Sequence, residues 1–167
     1  YKDFAVALGY KGDYIKQFFL NYKSRKSDVI IDLKSGNTKY LNDFSEDWNV
    51  GLYDTGLNSM TGGRLLRVSE HIKTERFFCT YGDGLSNINI KTLLKNHINS
   101  GCLATVTAVR PQARFGELII GNDNKVNSFK EKPQLNTGYI NGGFFIFEPE
   151  VLSFIKNDDT VLEKEPL

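Results

Sequence analysis

Apolar and polar positions alternate along this chain in blocks that change period, and the changes mark its elements. Phe4 to Leu8 is an apolar run ending at Gly9, as for a strand, and Gly9 to Gly12 reads as a turn. Asp13 is placed to cap a helix with Ile15, Phe18, Phe19 and Tyr22 on one face. Val29 to Ile31 and Tyr40 to Leu41 flank Ser35, Gly36 and Asn37, which predicts an antiparallel hairpin. Trp48, Val50 and Leu52 alternate as a strand does, and a glycine-rich loop over 54–63 leads into a helix with Leu65, Leu66, Val68 and Ile72 inward.

The pattern repeats in the second half. Phe77, Phe78 and Cys79 form a buried strand, and Asn87 or Asn89 is placed to cap a helix bearing Ile90, Leu93, Leu94 and Ile98. Leu103 to Val109 has the continuous β-branched character of a strand covered on both faces. Leu118 to Ile120 and Val126 to Phe129 predict a second hairpin, Phe144 to Phe147 a last strand, and Pro149 the first turn of a helix with Val151, Leu152 and Ile155. Strands separated by helices predict an α/β fold, a Rossmann-like doubly wound sheet with a mixed edge. No linker, repeat or low-complexity segment divides residues 1–167, so a single piece of a longer polypeptide is expected.

Composition narrows the partners. With 167 residues, 40% hydrophobic and 25% charged, the chain has an ordinary globular balance. Its 21 basic and 20 acidic residues nearly cancel and form no like-charge run, which makes nucleic acid and membrane surfaces poor partners and a small ligand the better one. Cys79 and Cys102 sit in apolar runs and are expected to be free buried thiols. Two histidines, neither near a cysteine pair, give zinc little support. No apolar segment approaches a membrane span and no signal peptide opens the sequence, so a cytoplasmic location is expected.

Candidate chemistry centres on TYGDG, where a strand stops at Asp83 between Gly82 and Gly84. Ligands of open α/β sheets bind at the carboxyl ends of strands, so a metal or a substrate hydroxyl is a natural partner for Asp83; an Asp-Gly turn is the ordinary alternative. Ser59 to Arg64 opens a helix whose amides favour an anion, with a helix start capped by Thr61 as the alternative. Glu131, Lys132 and Pro133 place an acceptor beside a donor, and Asn141, Gly142 and Gly143 form either a backbone surface for a sugar or a bulge. A dinucleotide fingerprint, a P-loop and a nucleophile elbow are all missing. Glycosyltransferases with paired aspartates fit less well, because Asp83 has no acidic residue two positions away.

Taken together, LGYKGDYIKQFF, WNVGLYDTGLNSMTGGRL, TYGDG, the RFG at Arg114 to Gly116, FKEKP and INGGFFIF resemble the sugar-phosphate nucleotidyltransferase family over nearly the whole chain. The SMTGGRL segment points to a cytidylyl-transferring member, since thymidylyl and uridylyl relatives usually carry a GLA- or GTA-like sequence there. The resemblance implies transfer of CMP from CTP to glucose 1-phosphate with magnesium as cofactor, in a homo-oligomer. It implies that Asp83 holds the magnesium with Gly82 against the nucleotide, and that Ser59 and Arg64 contact the cytidine portion. Glu131 would accept from glucose hydroxyls, Lys132 would meet the sugar phosphate, and Gly116, Asn141 and Gly143 would line the sugar pocket. The family's glycine-rich triphosphate loop, its KPKPM lysine and a second metal-binding aspartate have no counterpart in these residues. Little turnover is therefore expected of these residues alone, and apolar sheet edge is expected to be open to pairing. A non-catalytic binding or assembly module, using the Val29 to Leu41 hairpin as a contact, is the reading from another class.

Overall fold

A computed structural model describes residues 1–42, 46–112, 115–134, 138–164 and 166–167. The chain divides into two compact units, Tyr1–Thr74 with Val151–Leu167, and Glu75–Glu150.

In the first unit, β1 (Asp3–Leu8) pairs in parallel with β4 (Asn49–Asp54), Asp3 opposite Asn49 and Leu8 opposite Asp54. Parallel strands need a long crossover, and α1 (Gly12–Leu20), α2 (Tyr22–Lys26) and the antiparallel pair β2 (Val29–Ile31) and β3 (Thr38–Tyr40) lie within it. Asp13 does not cap α1. The amide of Gly12 donates to the Gly9 carbonyl at 2.9 Å, and this tight turn makes left-handed Lys11 the cap and starts the helix before Asp13. Asp13 falls instead in the first turn, where a carboxylate complements the helix dipole. Asn21 then ends α1, so Tyr22 begins α2 and stacks on Phe19. α3 (Thr61–Ser69) packs on β1 and turns Leu65 and Val68 inward. With Leu8, Val151, Ile155 and Leu162 these form the core of this unit. Ile72 lies beyond the end of α3. The segment after Pro149 is a short 3-10 helix, Pro149–Phe154, which still buries Val151.

In the second unit, β9 (Ile140–Phe147) lies between β5 (Phe77–Thr80) and β6 (Ala104–Val109), antiparallel to both. Phe145, Ile146 and Phe147 are buried, and Phe147 meets the rings of Phe77 and Phe145 at 5.8 and 5.4 Å. Burial of each such side chain stabilises by roughly 1.5–3 kcal/mol. β6 departs from expectation: it pairs only with β9 among the described residues, and Val106 and Val109 are exposed rather than covered. β7 (Glu117–Ile120) and β8 (Val126–Lys130) form the second predicted hairpin as a separate pair. No helix among the described residues is long and apolar enough to cross a membrane.

α4 (Ile90–Ser100) starts at Asn89, whose side chain accepts from the Thr92 amide at 3.0 Å, and ends at left-handed Gly101. Its buried position is His97 and not Ile98, which is exposed, because the inner face runs through Leu93, Leu94 and 97 at helical spacing. Cys102 is also exposed, lying in the turn before β6 instead of within it. Cys79 is half-buried, and neither cysteine is joined in a disulfide.

His97 is 1% exposed, and its ring is held at both nitrogens. Glu148 Oε1 lies 3.1 Å from Nε2 and Thr105 Oγ1 lies 2.7 Å from Nδ1. The same Glu148 oxygen accepts from Arg76 Nε at 2.9 Å. Burial pushes the Glu148 carboxyl up, but the bonds from Arg76 and His97 outweigh it and hold the group below its ordinary value. The ionised carboxylate accepts from His97 Nε2–H and so joins the starts of β5 and α4's last turn to the end of β9. Replacing His97 by Ala removes the ring's partner from Thr105 Oγ1 and leaves Glu148 Oε1 with Arg76, and is expected to cost about 1–3 kcal/mol. Chemical denaturation of His97→Ala measures this, and an unchanged stability would show that the bridge contributes nothing.

Candidate functional site

In the first unit, the ends of β1 and β4 meet at the Leu8 carbonyl. It accepts from the Thr55 amide at 2.9 Å, from Thr55 Oγ1 at 2.8 Å and from Arg64 Nη1 at 3.2 Å. Arg64 Nη1 also donates to Thr55 Oγ1 at 2.8 Å, and its Nη2 to the Leu57 carbonyl at 3.1 Å. Arg64 is therefore a clasp that closes the loop after β4 onto the end of β1, with three of the guanidinium's five N–H donors engaged. Gly9 makes room for it, since a Cβ there would stand 2.3 Å from Nη1.

Ser59 is likewise turned inward. It is 8% exposed and its hydroxyl donates to the Thr55 carbonyl. Thr61 does not cap α3, because Met60 holds the cap position and Thr61 is already the helix's first residue. The Gly62 amide donates to the Thr160 carbonyl at 2.9 Å, and Thr61 Oγ1 donates to Glu163 Oε2 and accepts from the Leu162 amide. The two glycines are there for contact: a Cβ would stand 2.7 Å from the Thr160 carbonyl oxygen at Gly62 and 2.5 Å from Asp158 backbone at Gly63. Arg67 forks onto Asp158, with Nε 2.8 Å from Oδ1 and Nη2 on Oδ2. The helix start is thus a docking surface for residues 158–163, a contact about a hundred positions away that no local pattern foretells.

In the second unit, Tyr81 to Gly84 is a turn at the end of β5, closed weakly by the Gly84 amide on the Tyr81 carbonyl at 3.4 Å. The chain runs on to α4, so the turn does not close a hairpin. Neither Gly82 nor Gly84 has a positive φ, so the turn does not depend on left-handed backbone there. A Cβ on Gly82 would meet open space. Asp83 is exposed and has no hydrogen bond or ion pair among the described residues. No group of three or more acidic, histidine or cysteine residues able to hold a metal occurs among them either.

Asn141, Gly142 and Gly143 lie in a bulge of β9: Phe145 pairs with Val106, but Asn141 with Ala108. The Asn141 side chain folds back, Oδ1 accepting from the Gly143 amide at 2.8 Å and Nδ2 donating to Tyr81 Oη at 3.0 Å. Tyr81 was not among the residues singled out from sequence; its only local mark is an aromatic ring directly before the GDG turn. The hairpin brings together two others. Glu117 faces Lys130, and a Cβ on Gly116 would stand 3.2 Å from Glu131 Oε2 and 2.6 Å from the Phe129 ring. Lys132 is exposed, with a left-handed φ of 43°. Arg114 of the RFG segment lies outside the described residues. The nine candidates therefore gather in local sets: Ser59 with Arg64, Gly82 with Asp83, Asn141 with Gly143, and Gly116 with Glu131 and Lys132.

Residues 61–166 match the sequence profile described as Nucleotidyl transferase. The chain is 46% identical over 167 residues to the glucose-1-phosphate cytidylyltransferase of Salmonella typhimurium, covering 99% of this chain and 65% of that protein. It is 38% identical to a probable glucose-1-phosphate cytidylyltransferase of Bacillus subtilis, over 99% of this chain and 64% of that one. The chain thus spans slightly under two thirds of the length of these relatives. Among solved structures it resembles HddC from Yersinia pseudotuberculosis, with a TM-score of 0.65 at 21% identity over 98% of this chain and 64% of that one. It also resembles UDP-glucose pyrophosphorylase complexed with UDP-glucose, with a TM-score of 0.51 at 15% identity over 95% of this chain and 65% of that one. These likenesses bear on the fold, and the expected Rossmann-like α/β class is borne out.

Two measurements check the first-unit geometry. Gly63→Ala gains helix propensity but pushes a methyl into Asp158, so a net loss of about 1–2 kcal/mol is expected in denaturant unfolding. A gain instead would mean that the 158–160 segment yields easily. Arg67 holds the Asp158 carboxyl below its ordinary value, against a smaller opposing effect of burial. The stability this pair adds is present above the unfolded carboxylate value near about 3.9 and is lost as pH falls through the lower folded value. The pair is half-exposed, so the effect is small and shrinks with salt. Asp158→Asn should flatten the acid limb of stability against pH; an unaltered limb would remove the pair from the account.

Proposed function

The chain belongs to the nucleotidyl transferase family, and from that premise we propose that its protein transfers a cytidylyl group from CTP to glucose 1-phosphate, giving CDP-glucose and pyrophosphate. The observation that carries this reading is the 46% identity, extending over 99% of the chain, to a glucose-1-phosphate cytidylyltransferase. In the reaction a phosphate oxygen of glucose 1-phosphate bonds to the α-phosphorus of CTP as the bond from that phosphorus to the β-phosphate oxygen breaks. In-line positioning and neutralisation of phosphate charge supply most of the acceleration in such transfers.

Asp83 fits a magnesium ligand. Its carboxylate is exposed and unengaged among the described residues, and magnesium is commonly bound by one or two carboxylates completed by water and substrate phosphates. When bound, the ion would neutralise phosphate charge and hold the reacting groups. Open space above Gly82 suits close approach of a nucleotide, since neither packing nor φ requires glycine there. Lys132 supports a sugar-phosphate role in another way: a non-glycine residue in left-handed backbone is strained, and such strain clusters at functional sites. Glu131, beside the space kept by Gly116, accepts from sugar hydroxyls, and Asn141 and Gly143 line the sugar side. Ser59 and Arg64 serve the cytidine side mainly by shaping the loop, Arg64 keeping two N–H donors for a base carbonyl.

Pyrophosphate release by the full-length protein, supplied with glucose 1-phosphate, magnesium and either CTP or UTP, tests the reading. Preference for CTP and a fall of about a hundredfold or more in Asp83→Asn are expected. Preference for UTP would reassign the nucleotide, and full activity in the Asn variant would remove Asp83 from the site.

A further inference from the structure

We propose that Tyr81 is a positioning residue that couples the Asp83 turn to the sugar-side segment Asn141–Gly143. The inference rests on the function proposed above and assigns a role to a residue outside the set that the motifs supplied. Tyr81 is the residue between the last position of β5 and the Gly82–Asp83 turn, and its own carbonyl accepts the turn's closing bond. Its ring is held edge-on by Phe145, with centroids 5.8 Å apart at 89°, and Phe145 is buried in the sheet core. The ring also lies against the bulge in β9. A Cβ on Gly143 would stand 2.8 Å from Tyr81 Cδ2, and Gly143 has φ +76°, so glycine is required there both by backbone conformation and by the ring.

The hydrogen bonds give this contact a direction. A backbone amide can only donate, so the Asn141 atom 2.8 Å from the Gly143 amide must be the oxygen Oδ1. Nδ2 is then the atom facing Tyr81, and the tyrosine oxygen accepts from it at 3.0 Å. The amide is thereby fixed at both ends, and one Nδ2–H remains to be donated to a sugar oxygen. Without the tyrosine oxygen, the Asn141 side chain keeps one anchor, the Gly143 amide, while its backbone pairs with Ala108 beside the bulge. The hydroxyl thus sets the sugar side, while the ring sets the turn that carries Asp83.

The two parts separate in variants of the full-length protein. Tyr81→Phe keeps the ring and removes the oxygen; it should raise KM for glucose 1-phosphate about three- to tenfold, the size of one lost hydrogen bond, with KM for CTP, magnesium half-saturation and kcat within about twofold of wild type. Amide hydrogen exchange in the peptide spanning 140–144 should quicken in the same variant. Tyr81→Ala should in addition raise the magnesium half-saturation. Unchanged KM for the sugar phosphate in Tyr81→Phe, or equal rises in every constant with a lowered Tm, overturns the proposal. Should the wild-type protein use neither CTP nor glucose 1-phosphate, the proposed function fails, and exchange alone decides for Tyr81: faster exchange upholds its positioning role and unchanged exchange overturns it.

Discussion

Strand β9 is the constraint on which the second unit depends. Its last three residues, Phe145, Ile146 and Phe147, are the buried apolar centre between β5 and β6, so neither neighbour has a core without it. Its first residues cannot keep the same register, because the Asn-Gly-Gly sequence swells into a bulge opposite β6. One strand is therefore rigid at one end and irregular at the other. The rigid end continues into Glu148, which gathers Arg76 and His97; the irregular end meets Tyr81 and the Asp83 turn. The turn that carries Asp83 follows directly on β5, which is paired with this strand from Phe144 to Phe147.

The first unit solves a different problem. Two parallel strands end together and must pass into a loop and a helix without leaving carbonyls unmatched. Thr55 and Arg64 meet that need at the Leu8 carbonyl, and the guanidinium occupies the space that Gly9 leaves open. At the start of α3, residues 158–163 approach so closely that only glycine fits at 62 and 63. The SMTGGRL segment thus combines two demands, loop closure by Ser59 and Arg64 and backbone contact by the glycines. The nucleotide role proposed for it acts through a loop whose shape those contacts determine.

The sequence by itself determined the succession of strands and helices, both hairpins and the strand-turn-helix frame of Asp83, because apolar period and turn residues are local properties. It also carried the family resemblance, since those motifs are contiguous. Only the tertiary structure decided that Gly62 and Gly63 serve residues 158–160, that Arg64 clasps Leu8 and Thr55, that His97 rather than Ile98 is buried, and that Tyr81 holds Asn141. The physical reason is the same in each case. A glycine's missing Cβ, a guanidinium's donors or an amide's orientation has meaning only against a partner, and these partners lie from 8 to about 100 residues away along the chain.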